Sequence, residues 1–406
     1  MTSRVGITGM GAVSAAGIGA EMLWSAARDG VSGVRRVDLP RGDSLRVRIA
    51  ATVPDFDPEA LLGAPVPHTS ERVTHFALVA AAEAIAQAGI SPDELAGRRS
   101  AAIIGTGIGG AGTIDDNACQ FYGGAGAALR PEPMTVPRTM PSSAVSHVSI
   151  AHGITGPSFG LVSACASGAQ SIGLAAQMIR SGLVERALAG GTEACITPAT
   201  MRAWELLRVL SPRACQPFSA GRTGMVLGEG AAVFVLESED ALHRRGVTPL
   251  AWLDGYGTSS DAHDMIQPDI EGAAAAMREA LDLAGVAPGQ VGYVNAHGTG
   301  TVLNDITEAA ALRAVFGTWI DRIPVSSSKP VLGHALGAAG ALELIVAVQA
   351  LRHQMVPPQA NFTQPDPKCP LLLPTQGAVP ADLDAVMSNS FAFGGINAAL
   401  LLRRAA

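Results

Sequence analysis

Residues 158–180 read SFGLVSACASGAQSIGLAAQMIR. An apolar run breaks into a turn of small residues around Cys165 and then into a helix with an amphipathic period. A strand that feeds a helix through a tight turn is the unit of a layered α/β fold. The same grammar returns in the second half of the chain. VGYVNAHGTGT (291–301) is a strand ending at His297, and SSSKPVLGHALGAAG (326–340) ends at a Gly333 turn that places His334 before a long helix. Outward from these segments, β-branched runs alternate with Ala-rich helices. Strands are expected at Arg4–Thr8, Ser100–Gly105, Ser158–Ala164, Ala187–Gly190, Ala231–Leu236, Val291–Ala296, Ile323–Ser326, Ala385–Asn389 and Ala398–Leu402, with helices over 72–89, 166–181 and 334–353. A weak boundary near Glu239–Thr248 divides the chain into 1–240, which carries the cysteine, and 241–406, which carries both histidines. The repeat points to an internal duplication packed as one body.

Composition narrows the function. The 406 residues are 48% hydrophobic and only 16% charged, with 47 glycines. That balance suits a compact globule or an oligomer that hides part of its surface. The net charge is −7 and there is no basic run, so a nucleic-acid partner is not expected. Glu343, Gln349 and Arg352 interrupt even the most apolar segment, so no membrane span is expected, and the N-terminus lacks the pattern of a signal peptide. A cytoplasmic location follows. Cys119, Cys165, Cys195, Cys215 and Cys369 form no CxxC pair and no even framework, which argues against a disulfide scaffold or a zinc site.

Each candidate has two readings. TGMGAVSAAG (8–17) resembles a dinucleotide fingerprint at Gly9 and Gly11 but has Ser14 where the third glycine belongs, which favours a tight structural turn. Cys165 at a helix N-terminus would have its thiol pKa lowered by free N–H groups and the helix dipole; it could equally be an inert cysteine among alanines. His297 and His334 stand at strand-to-helix turns, where an α/β sheet gathers ligands, although a lone histidine is more often structural. Lys329, before Pro330, reads as a fixed loop residue or a surface lysine. In LNDITEAAAL (303–312), Asn304 or Asp305 with Glu308 fits a helix cap. In SNSFAFGGINAAL (388–400), the Phe391–Gly395 loop is either a packed turn or a wall of N–H donors.

Taken in order, GTGIGG (105–110), VSACASG (162–168), GGTEA (190–194), VLGEGA (226–231), NAHGTGT (295–301), SSKPVLGHALGAAG (327–340) and NSFAFGGINA (389–398) resemble the β-ketoacyl-acyl carrier protein synthases over nearly the full length. These are the decarboxylating condensing enzymes of fatty acid and polyketide assembly. The resemblance implies a thiolase-like α/β fold of two similar halves in five alternating layers (αβαβα). It implies that Cys165 takes an acyl group from a phosphopantetheine thioester, with its own N–H and that of Phe393 as the oxyanion hole. His297 and His334 would polarise the malonyl thioester. Lys329 would support His334, and Glu308 would orient that lysine; Asp305 would have a more structural role. Thr299 and Thr301 would hold the pantetheine arm, and Ile108, Trp204 and Phe391 would line the acyl pocket. No metal or bound cofactor is implied, since the phosphopantetheine arm belongs to the substrate. The implied partners are an acyl carrier protein and a second chain, in a homodimer or in a heterodimer with another ketosynthase-like subunit.

Departures from the family pattern bear on specificity. PFSAGRTGM (217–225) has Ser219, Thr223 and Met225 in place of two acids and an aromatic, Trp204 replaces a phenylalanine with Glu205 after it, and Ala392 replaces a glycine of the C-terminal loop. The region around His68–His75 keeps only Arg72 as a cation, so carrier docking is expected to lean instead on Arg130, Arg138, Arg208 and Arg213. These features favour a specialised pathway over a housekeeping elongation enzyme. The alternative of a non-catalytic partner subunit conflicts with the retained Cys165, His297 and His334, and a thiolase conflicts with Phe393 at the position of its second cysteine.

Overall fold

The computed structural model describes residues 4–123 and 132–405. Ten principal strands among them are β1 Val5–Ser14, β2 Ser100–Gly105, β3 Ser158–Leu161, β4 Arg186–Glu193, β5 Gly230–Ser238, β6 Ala251–Ser260, β7 Val291–Asn295, β8 Val325–Ser326, β9 Ala385–Ala392 and β10 Ile396–Arg403. They lie in the order β8-β7-β9-β10-β6-β1-β5-β4-β2-β3. Written outward from the β6–β1 junction, each half has the same arrangement: its first strand, then the fifth, fourth, second and third. The pairing senses also repeat. The second strand is parallel to the third and fourth, and the fifth is antiparallel to the fourth and first. The chain is an α/β protein built from one motif used twice.

The principal helices are α1 Arg72–Ala88, α2 Ser167–Arg180, α3 Pro198–Leu206, α4 Ile270–Ala284, α5 Val302–Phe316 and α6 Ala339–His353. Helix α1 covers β1 and β5 on one outside face, and α4 covers β6 and β10 on the other with α5 beside it. Helices α2 and α6 pack on each other between the two sheet halves, which completes the five layers. Every residue of α6 from Ala339 to Leu351 is buried, the composition required of a helix enclosed on all sides. Its continuation, Leu336–His353, is long and apolar enough to cross a membrane, but it is 89% buried inside the protein as the central helix.

Two readings from sequence change here. Gly9 and Gly11 lie inside β1 rather than in a tight turn: a Cβ at either would stand 2.0 or 2.1 Å from the Ala84 or Ala80 carbonyl of α1. Helix and strand approach too closely there for any side chain. The second half repeats the device, with Gly255 and Gly257 of β6 against the Ala280 and Ala276 carbonyls of α4. Those glycines dilute the apolar alternation of 251–260, so β6 was absent from the expected strands.

Candidate active site

The duplication brings two equivalent turns face to face. Cys165 sits in a 3-10 turn, Ala164–Ala166, that opens α2. Ala164 holds φ 47°, a conformation that costs a non-glycine residue about 1–3 kcal/mol and persists only where its surroundings enforce it. Ser167 supplies part of that enforcement: its Oγ accepts the Ser163 N–H at 2.9 Å and donates to the Ala164 carbonyl at 2.7 Å. The second turn, Leu336–Ala338 before α6, follows directly on His334 and Ala335, and His334 Nε2 lies 3.1 Å from Cys165 Sγ. His297 follows β7, and its ring meets that of His334 edge-on at 5.4 Å.

Lys329 is 1% exposed and hydrogen-bonds to the Nδ1 and carbonyl oxygen of His297 and to the Glu343 carboxylate. An ammonium donating to Nδ1 leaves the proton of a neutral imidazole on Nε2. The lysine's hydrogen-bonded partners are therefore His297 and Glu343, where His334 and Glu308 were expected. Glu308 instead accepts the N–H of His297 at 2.8 Å and of Gly298 at 2.7 Å, fixing the loop after β7. Asp305 is no helix cap: it accepts the Phe218 and Gly300 N–H groups and pairs with buried Arg222 at 3.2 Å.

Electrostatics at the site are set by burial. Desolvation pushes the Cys165 thiol up to about 12; Lys329 and the Phe393 N–H, which points at the sulfur, pull it down without prevailing. The lowered thiol pKa expected from the helix N-terminus is not what the fold produces, because loss of hydration outweighs the dipole. Burial, with the Lys329 charge, holds both histidines well below their usual pKa, so both are neutral at pH 7. Glu308 and Glu343 are each pushed up to about 7 by burial.

Cys165, His297, His334, Phe391 and Phe393 line a cavity of about 290 Å³ that continues past Thr299 and Thr301 to the surface. The two threonine hydroxyls are 2.8 Å apart. The Trp204 ring, on α3, lies 5.7 Å from Phe393. Met225 and Ala392 also line the wall, and Ala392 is the last residue of β9, paired with Ile396. Gly394 and Gly395, at φ 86° and 66°, make the turn to β10. Ser219 and Thr223 join local hydrogen bonds to Thr363 and Ser211.

Ile108 does not line this cavity; its N–H binds Glu193. Glu205 faces away and accepts the Arg46 and Val47 N–H groups. Of the five cysteines, only Cys165 lines the cavity, and all five are unpaired. Arg72 pairs with Glu229 and Arg138 binds the His68 carbonyl, whereas Arg208 and Arg213 are exposed and Arg208 borders the cavity. Arg130 lies outside the described residues. Glu193 and Glu343 escaped the sequence reading. One hides in GGTEA at a strand end and the other in an apolar helix, and only their charge among small residues hinted at a role.

Residues 2–241 match the model of the β-ketoacyl synthase N-terminal domain, and residues 250–363 that of its C-terminal domain. The chain belongs to the β-ketoacyl synthase family. This ketosynthase is 42% identical to Nodulation protein E of Rhizobium leguminosarum bv. trifolii, with all of both chains covered. It is 38% identical to 3-oxoacyl-[acyl-carrier-protein] synthase 2 of Coxiella burnetii, over 99% of this chain and 98% of that one. Among solved structures it superposes with a TM-score of 0.92, at 29% identity and over 99% of each chain, on a type II polyketide synthase acyl-carrier protein in complex with its ketosynthase bound to the hexaketide. The five-layer thiolase-like fold expected from the motifs is the fold found, and the ketosynthase is a condensing acyltransferase.

Proposed function

We propose that Cys165 carries the growing acyl chain and that His297 and His334 activate a malonyl thioester for decarboxylative condensation at the same sulfur. The observation that carries this reading is the convergence of Cys165, His334, His297 and the Phe393 N–H on one cavity. In the first half-reaction His334 Nε2 accepts the thiol proton as Sγ attacks the thioester carbonyl. Proton transfer accompanies attack, because a neutral thiol near pKa 12 beside a weakly basic imidazole does not ionise beforehand. The carbonyl oxygen gathers negative charge against the Cys165 and Phe393 N–H groups, aligned donors worth roughly 3–4 kcal/mol of barrier each. The carrier's thiol leaves with the proton from His334.

In the second half-reaction the malonyl carbonyl oxygen accepts from His297 Nε2–H and from His334, which faces an acylated sulfur instead of a thiol and now carries its single proton on Nε2 as the second donor. The bond from C2 to the carboxylate breaks, CO₂ leaves, and its electron pair forms an enolate. C2 then attacks the acyl carbonyl. A carbon–carbon bond forms, the bond to Sγ breaks, and the thiolate takes up a proton from solvent to restore the thiol. The scheme needs no metal or redox group; the phosphopantetheine arm arrives with the substrate, with Thr299 and Thr301 beside its path and Trp204 and Phe391 against the acyl chain.

The partner we propose is an acyl carrier protein, met by Arg208 at the border of the cavity and by exposed Arg213 five residues on. A second ketosynthase-like chain, identical or related, would cover the unpaired edge of β3, where Phe159 and Val162 are exposed. Five unpaired cysteines suit a reducing compartment such as the cytoplasm. Likeness to a nodulation protein and to a polyketide ketosynthase supports a specialised pathway over housekeeping elongation. Incubation with acyl and malonyl carrier thioesters tests the reaction: a β-ketoacyl product two carbons longer, with one CO₂ per turn, is expected, and release of CO₂ without chain extension would contradict it.

A further inference from the structure

Among the buried carboxylates outside this chemistry, Glu193 is the one that reaches both halves beside the reactive pair. Glu193 ends β4, is fully buried and does not line the cavity. Its Oε2 accepts the N–H of Gly107 at 2.6 Å and of Gly337 at 2.9 Å; its Oε1 accepts the Ile108 N–H and the Thr106 hydroxyl, each at 3.3 Å. Residues 106–108 follow β2 in the first half of the fold. Gly337 belongs to the second half, three residues after His334. A single side chain therefore ties the two halves together beside the Cys165–His334 pair.

The internal repeat shows what position Glu193 fills. Helix α6 is entered as α2 is: Leu336, at φ 40°, opens the 3-10 turn Leu336–Ala338, just as Ala164, at φ 47°, opens Ala164–Ala166. Gly337 therefore stands where Cys165 stands in the other half. Each turn packs on the fourth strand of the opposite half, the cysteine turn on β9 and the glycine turn on β4. After β9 comes Phe393, whose N–H points at the sulfur; at the end of β4 is Glu193. Where one elbow leaves its N–H free for a thioester oxygen, the other has its N–H occupied by a carboxylate oxygen. No side chain could stand at Gly337, since a Cβ would lie 2.2 Å from the Gly107 nitrogen.

We infer that Glu193 is a positioning residue, an internal carboxyl group that fills the second elbow and through Gly337 holds His334 within hydrogen-bonding distance of Cys165. The inference rests on the proposed roles of that pair. A carboxylate can accept from all four donors at once. The amide of a glutamine has one oxygen, and its NH₂ must face N–H or O–H groups on one side, so the clip has to open there.

The test is the Glu193→Gln variant, assayed per titratable Cys165 beside wild type. The expected result is a kcat for condensation at least tenfold lower, with KM for the acyl and malonyl thioesters changed less than twofold and Cys165 acylation slowed to match. A merely structural role would lower the melting temperature and the folded fraction while leaving kcat per Cys165 unchanged, and that result overturns the inference. If Glu193→Gln does not fold, Thr106→Val decides. It removes the hydroxyl contact to Oε1, and a two- to threefold fall in kcat at unchanged KM is expected, with no change in kcat as the contradicting result. Wild type that is never acylated at Cys165 would instead overturn the proposed function, and this inference with it.

Discussion

The Nε2 of His334 lies 3.1 Å from the Sγ of Cys165, across 169 residues of chain and across the interface between two halves of one duplicated fold. The thiol stands in one half and the imidazole that can accept its proton in the other. The reactive pair exists because α2 and α6, the central helices, enter their shared layer side by side.

The Lys329–Glu343 pair is buried on both sides. Lys329→Met leaves the Glu343 carboxyl in the core without its partner, and a loss of about 3–5 kcal/mol is expected in denaturant unfolding at alkaline pH, where that carboxyl is ionised, with a smaller loss below pH 7, where it protonates. Lys329→Met with Glu343→Leu should recover most of that stability but not the activity, because His297 Nδ1 no longer receives a proton donor. Decarboxylation assays on the double variant separate the two effects.

Both histidines are held well below pKa 6.5 by burial and the Lys329 charge. As pH falls, protonation removes the lone pair that accepts the thiol proton, so Cys165 acylation fails on the acid side with a midpoint well under 6.5. A pH–rate profile of acylation checks this, and an acid limb centred at or above 6.5 would contradict it. Depressed histidine pKa values also contribute stability that is present above pH 6.5 and lost as pH falls. Glu308 and Glu343, raised to about 7, work in the opposite sense: their contribution is present below pH 4.5 and lost as pH rises through about 7.

Trp204 packs beside Phe393 at the cavity wall. Trp204→Ala enlarges the cavity, so longer or bulkier acyl groups should load on Cys165 several-fold better relative to short ones. Mass spectrometry across a panel of chain lengths reads this ratio, and an unchanged ratio would remove Trp204 from the acyl site.

Arg208→Glu with Arg213→Glu reverses two exposed charges, the first of them at the border of the cavity. The KM for carrier-bound substrates should rise at least fivefold, while kcat and the KM for small pantetheine thioesters stay level. Equal KM effects on both substrate types would show that these arginines do not meet the carrier.

Much of this was legible from local pattern. The Ser100–Gly105 strand, the helix ending at Gly89 and the three turns bearing Cys165, His297 and His334 stand where periodicity and turn chemistry put them. What local pattern could not reveal was long-range partnership. Asp305 looked like a helix cap but binds Arg222, the distant Phe218 N–H and the nearby Gly300 N–H; Glu343 looked like an interruption in an apolar helix but pairs with Lys329. The thiol pKa was misjudged for a similar reason. A helix terminus is visible in sequence, whereas the burial that overrides it comes from the opposite half of the fold.

The measurement that bears most directly on the central claim is intact-protein mass spectrometry of wild type and Cys165→Ala with an acyl carrier thioester, followed by malonyl carrier protein. Wild type should gain the mass of one acyl group, mapped to Cys165, and lose it on malonyl addition as a β-ketoacyl product appears, while Cys165→Ala gains nothing. An acyl adduct on another residue, or condensation by Cys165→Ala, would contradict the account.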